Sequence, residues 1–116
     1  MASVLLVEDE ALIRMMVADM LEELGHTVSA EAANLAQALA LASSAEFDFA
    51  ILDFSLGAET SVSVADALQV RNIPFAFASG YGSDGVPEKF LSRPRLRKPF
   101  QIDQLRTCIT DLLNVP

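Results

Sequence analysis

Five residues able to do chemistry stand where apolar runs stop: Glu8 and Asp9 after VLLV, Asp53 after AIL, Ser79 after FAFA, and Lys98 after RLR. A carboxylate closing a buried run costs several kcal/mol unless it is paired or the chain surfaces there, on the order of 2–7 kcal/mol for a polar group. Brought together, three acids, a hydroxyl and an ammonium make an oxygen-rich site. Crowded carboxylates repel, and one takes up a proton unless a cation sits between them. With no His or Cys in the set, these donors suit Mg²⁺, which takes one or two carboxylates directly and keeps several waters. A carboxylate can also attack phosphorus, a transfer that needs mainly positioning and charge neutralisation. In that chemistry Asp53 is the nucleophile, Mg²⁺ and Lys98 cover phosphoryl charge, and the Ser79 hydroxyl donates to a remaining oxygen.

Whether the five meet depends on the elements that carry them. Val4 to Val7 read as a buried strand. Ile13, Met16, Val17, Met20, Leu21 and Leu24 then recur at helical spacing, with Arg14, Asp19, Glu22 and Glu23 opposite and Gly25 as the stop. TVSAEA is a short second strand, and Asn34 can cap a helix that turns Leu35, Leu39 and Ala42 inward. FDFAILD is a third, strongly apolar strand. GAETSVSVADALQV carries the next helix, with Ser63 and Asp66 at capping-box spacing. PFAFAS is a fourth strand opened by Pro74, where a missing N–H does least harm. GYGSDGVPEKF holds three glycines and Pro87, so the fourth helix is expected to be short or frayed. RLRKP is a brief fifth strand, and Ile102, Leu105, Ile109, Leu112 and Leu113 are the inward stripe of a last helix.

Five strand–helix alternations predict an α/β fold: a five-stranded parallel sheet with helices on both faces. In such a sheet all strand C-termini share one edge, outside which ligands bind. All five residues lie at that end. Singly each has an ordinary reading: a solvated lysine, a turn serine, two acids favoured by a helix dipole. Their joint placement is what points to a site.

At 116 residues the chain is expected to form a single domain, 1–116. Residues 1–70 carry one basic and twelve acidic side chains, or −11, and residues 71–116 seven and four, or +3. That acidity speaks against nucleic acid, and RPRLRK reads as a solvated edge strand in which Arg95 and Arg97 discourage aggregation. No apolar run approaches a membrane span, no basic start suggests a signal peptide, and Cys108 is the lone cysteine. The cytoplasm is the default expectation.

With these residues in place, the chain resembles a response-regulator receiver domain of two-component signalling from Val4 to Leu113. The resemblance rests on VLLVEDE, the strand ending in Asp53, PFAFASG, and RKPF with Lys98, Pro99 and Phe100. It implies a flavodoxin-like three-layer fold with sheet order 2-1-3-4-5 and a phosphorylation switch. Asp53 would accept a phosphoryl group from a phosphohistidine on a histidine kinase or phosphotransfer protein. Asp9 would hold Mg²⁺ directly, Glu8 through water, and the backbone carbonyl of Ser55 would complete the protein ligands. Ser79 and Lys98 would then close on the phosphoryl oxygens. The implied protein is a stand-alone receiver without an output domain, signalling by protein contact through the strand-four loop, the fifth strand and the last helix. It is expected to be a monomer, with an activation-dependent dimer as the alternative.

Two positions depart from the family pattern. Arg95 stands where receivers usually carry a switch aromatic, and Gly57 where many carry proline, which would make that loop more mobile. Tyr81, in FASGYG, resembles a less common Phe-Ala-Thr/Ser-Gly-x-Tyr loop linked to atypical kinases. It either takes over part of the aromatic's work or is a half-exposed loop residue. Two other functions compete: a receiver-like binding module that is never phosphorylated, and a Mg²⁺-dependent phosphohydrolase of the haloacid-dehalogenase type. The latter needs a second acid where Ser55 stands; the former has no need of the acids. The GYGSDG match to a dinucleotide fingerprint follows the wrong strand. His26 reads as a surface turn residue, and Met15, Met16 and Met20 as core filling.

Overall fold

A computed structural model of the chain describes residues 2–80, 86–90 and 93–113. Strands β1 (Ser3–Val7), β2 (Thr27–Ala32) and β3 (Phe49–Asp53) alternate with helices α1 (Ala11–Glu23) and α2 (Leu35–Ser44). A two-stranded hairpin follows, β4 (Ser55–Leu56) and β5 (Glu59–Thr60), then α3 (Val62–Val70), β6 (Phe75–Ser79), a 3₁₀ turn at Glu88–Phe90, β7 (Arg95–Arg97) and α4 (Ile102–Leu113). The main sheet is parallel, in the order β2-β1-β3-β6-β7. Without the hairpin this is the expected order 2-1-3-4-5, in a three-layer flavodoxin-like fold.

Side chains alternate across the sheet, so it supports two cores. Leu5, Val7, Ala50, Leu52, Phe75 and Phe77 pack against Ala38 and Ala42 of α2 and Val64, Ala65 and Leu68 of α3. Val4, Leu6, Phe49, Ile51, Ala76 and Ala78 pack against Val17 and Leu21 of α1 and Leu105, Cys108, Ile109 and Leu112 of α4. β3 lies in the middle, covered on both faces and flanked by β1 and β6, which explains its unbroken apolar run.

Several local expectations hold. Gly25 ends α1 at φ +93°, where a Cβ would be strained. The Asn34 side chain accepts from the Gln37 N–H at 2.9 Å and caps α2. Between β6 and β7 the described helical structure is one 3₁₀ turn, as the glycines and Pro87 predict.

Others are corrected. α3 starts at Val62, so Ser63 lies inside it and forms no capping box. Ser61 takes the N-cap position with no side-chain cap bond; its N–H donates to the Phe54 carbonyl at 2.9 Å and its hydroxyl to the same carbonyl at 3.5 Å. Gly57 turns a hairpin that the sequence reading did not foresee: Leu56 pairs with Glu59 across two residues, and Gly57 has φ +68°. Met15 and Met16 are not core filling; they are 61% and 52% exposed, whereas Met20 packs on the α1/α4 core. Leu113 is likewise exposed. His26 is more than a surface turn residue: its Nδ1 accepts from the Ala2 N–H at 3.2 Å, and its ring meets Phe49 edge-on at 5.5 Å. Burial holds the imidazole below its ordinary value of 6.5.

Candidate functional site

Register brings the strand ends together. β1 pairs with β3 so that Val7 faces Leu52, which sets Glu8 beside Asp53 at the next position. Asp53 in turn faces Ala78 of β6, one residue before Ser79. Ser79 faces Arg97, and its carbonyl accepts from the Lys98 N–H at 2.9 Å, so Lys98 leaves β7 toward the same rim. A slip of one residue in any pair would send that side chain to the opposite face.

The contacts follow from this frame. Lys98 Nζ donates to Glu8 Oε1 at 2.7 Å and lies 3.3 Å from Asp53 Oδ1. Glu8 and Asp53 are only 3% and 7% exposed, while Asp9 is open to solvent. Ligand oxygens of Glu8, Asp9 and Asp53 all lie within 4.8 Å of one another. The Glu10 N–H also donates to Glu8 Oε2, at 3.1 Å. Ser79 is buried at the rim, and Ser55 begins the hairpin two residues beyond Asp53, exposed.

One ammonium serves two buried carboxylates, and the electrostatics show the imbalance. Burial, reinforced by the adjacent Glu8 carboxylate, pushes Asp53 from 3.8 up to about 7. Burial also works against ionised Glu8, but the bonds from Lys98 and the Glu10 amide together hold its carboxyl below the ordinary range. Lys98 is raised: burial opposes its charge, and the Glu8 bond and the Asp53 charge outweigh burial. Three acidic oxygens at one rim, with a deficit of positive charge and no nitrogen or sulfur among them, fit a hard divalent cation such as Mg²⁺. Elsewhere, Cys108 is buried and its thiol is pushed up to about 11, so it stays protonated and unreactive.

The site residues foreseen from the sequence among the described ones, Glu8, Asp9, Asp53, Ser55, Ser79 and Lys98, thus gather at one rim. Tyr81 lies outside the described residues, as does all of GYGSDG after Gly80. Arg95 is exposed on the edge strand, as a solvated charge there should be. Sequence reasoning missed Arg14, which it placed on the outer face of α1. Its Nη1 donates to the Glu8 carbonyl at 2.8 Å and its Nε to Glu31 Oε1 at 3.2 Å. The signal was present in the composition: Arg14 is the one basic side chain in residues 1–70.

Comparison with known proteins identifies the family and the fold. The model of the family described as response regulator receiver domain matches residues 4–110. No curated protein matches the chain. Among solved structures, the solution structure of SdrG from Sphingomonas melonis Fr1 is 44% identical, with TM-score 0.86, and each chain covers 97% of the other. The BeF3-activated conformation of SdrG from Pseudomonas melonis Fr1 is 45% identical with TM-score 0.81, covering 96% of this chain and 95% of that one. The response regulator TrrA from Thermotoga maritima, solved with Mg²⁺-BeF, shares the fold at 23% identity and TM-score 0.84, with coverage of 97% and 99%. Among the described residues no helix is long and apolar enough to cross a membrane.

Proposed function

Since the chain belongs to the response regulator receiver domain family, we propose that it is a phosphorylation switch whose acceptor is Asp53 and whose output passes by protein–protein contact. The observation that carries this is the gathering of Glu8, Asp9 and Asp53 oxygens within 4.8 Å, with Lys98 bonded to Glu8 and beside Asp53. Support comes also from SdrG, which has a BeF3-activated conformation.

An Asp53 oxygen attacks the phosphorus of a phosphohistidine on a histidine kinase or phosphotransfer protein. The P–N bond breaks, the imidazole leaves with the electron pair, and Asp53 becomes an acyl phosphate. Asp9 and Asp53 would hold Mg²⁺ directly, with Glu8 through water and the Ser55 carbonyl completing the set. When bound, Mg²⁺ supplies positive charge against the carboxylates and the incoming phosphoryl oxygens. Lys98 already stands 3.3 Å from the acceptor and needs only to exchange its Glu8 bond for a phosphoryl oxygen. Ser79, at the end of the neighbouring strand, donates its hydroxyl to another. The chain acts as a phosphoacceptor, not as a catalyst turning over a free substrate.

Intact mass after incubation with acetyl phosphate tests this reading. One added phosphate in Mg²⁺ and none in EDTA is the expected result. Steady hydrolysis of a phosphomonoester without a lasting adduct would favour a phosphohydrolase, and no reaction at all would favour a docking module.

The exposed side chains of α1 support a seat for the donor beside the rim. Leu12, Met15 and Met16 stand out from α1. Ile13, Met16, Val17, Met20, Pro99 and Phe100 line a groove of about 410 Å³ that Lys98 also borders. An apolar helical face laid there is delivered to the rim that holds Asp53, and methionine repacks readily against it. Leu12→Asp should therefore slow transfer from a histidine kinase in its phosphohistidine form at least about tenfold, the effect of losing one buried apolar anchor. Labelling by acetyl phosphate should not change. Equal loss with both donors, or with neither, rejects this seat.

A further inference from the structure

Arg14 reaches from α1 to two acceptors on different elements. Its Nε–H donates to Glu31 Oε1 at 3.2 Å, and Glu31 is the β2 residue registered with Leu6 of β1. Its Nη1 donates to the Glu8 carbonyl at 2.8 Å. The guanidinium thus bridges β2 and the short segment where β1 gives way to α1. That carbonyl belongs to the peptide joining Glu8 to Asp9, so a single peptide plane sets the departure of both acidic side chains. The same segment is held on its other side by the Glu8 N–H, which donates to the Ala32 carbonyl at 3.1 Å. Arg14 completes the grip.

We propose that Arg14, oriented by Glu31, is a positioning residue that fixes the Glu8–Asp9 peptide and thereby the Mg²⁺ affinity of the rim. This deepens the functional reading above and rests on it. A planar fork can satisfy two acceptors in different directions at once, whereas a lysine ammonium on a flexible stem cannot hold both in place. The Glu31 end of the bridge is half-exposed, and an ion pair so placed contributes little to stability. A merely structural Arg14 would therefore leave metal binding alone, while a positioning Arg14 acts there above all.

Mg²⁺ titration of the full chain, followed by the amide NMR shifts of residues 8–10, separates the two roles when paired with melting curves in EDTA. Arg14→Gln should raise the Mg²⁺ Kd at least about tenfold, the usual size of an outer-sphere orienting contact. Arg14→Lys should recover part of that loss, and Glu31→Gln should show a smaller rise. Acetyl phosphate labelling should slow at low Mg²⁺ and return to the unaltered rate at saturating Mg²⁺. Should Arg14→Gln fail to fold, the Lys and Glu31→Gln variants carry the test. Unaltered chain that binds Mg²⁺ beside variants with the same Kd overturns this proposal alone. Unaltered chain that takes up no Mg²⁺ removes the functional reading and this one with it.

Discussion

Asp53→Asn is expected to take up no phosphoryl group from acetyl phosphate and Mg²⁺, yet to melt higher than the unaltered chain when both are held in EDTA at about pH 8. The first half follows from chemistry: an amide is no nucleophile toward phosphorus, and no other described acid is buried against both Glu8 and Lys98. The second half follows from what the carboxylate costs the fold. Asp53 is raised from 3.8 to about 7, so above pH 7 the native state carries a charge that its surroundings disfavour. Taken whole, that shift amounts to about 4 kcal/mol. Water at the rim screens much of it, which leaves about 1–2 kcal/mol as the expected gain from a neutral isostere. For a domain of this size that is a rise of roughly 5 °C. Loss of labelling together with higher stability is the signature of a residue kept for function at the fold's expense. Intact mass and a thermal melt read the two halves. A variant that still labels would move the acceptor elsewhere, and one that melts lower would make Asp53 a structural carboxylate.

The strand ends were legible because the physics there is one-dimensional. An apolar run must stop somewhere, and in a parallel sheet all the stops share an edge, so Glu8, Asp53, Ser79 and Lys98 could be gathered from order alone. The hairpin at Ser55–Leu56 and Glu59–Thr60 could not, since two-residue strands are too short to show alternation. Gly57 stands in its turn at positive φ. The capping-box spacing of Ser63 and Asp66 placed the helix start too late, since α3 begins at Val62 with Ser61 in the N-cap position. Periodicity also assigns a face to a backbone position, not a reach to a side chain. Arg14 starts on the flank of α1 and still arrives at the Glu8 carbonyl. Met15 and Met16 failed for the reverse reason: an apolar side chain on a helix was taken as buried, and both are left largely in solvent. His26 had no local signal at all, because its partners, Ala2 and Phe49, come from distant parts of the chain.

The charge deficit at the rim also makes metal binding a proton-release reaction, and this gives the second large effect. Followed by carboxyl carbon NMR, Asp53 in the metal-free chain should titrate near 7, and saturating Mg²⁺ should carry that midpoint down by at least about two units. Since the proton must leave before the ion enters, the apparent Mg²⁺ Kd should rise about tenfold for each unit of pH below 7 and stay flat above it. Stability without metal follows with a definite sign. The native carboxyl holds its proton up to about 7, whereas the unfolded chain loses it near 3.8, so the Asp53 contribution is present at low pH and is lost as pH rises through that window. His26 opposes this: its imidazole is held below 6.5, so its contribution falls away as pH drops beneath that value. Glu8 also opposes it, being held below its ordinary 4.5, but its contribution is lost only in stronger acid. Subtracting the Asp53→Asn profile from that of the unaltered chain removes the His26 background and leaves the joint titration of the Asp53–Glu8 pair. A midpoint near 4, with Mg²⁺ binding indifferent to pH between 6 and 8, would mean that the rim is well hydrated and that Lys98 alone satisfies both acids.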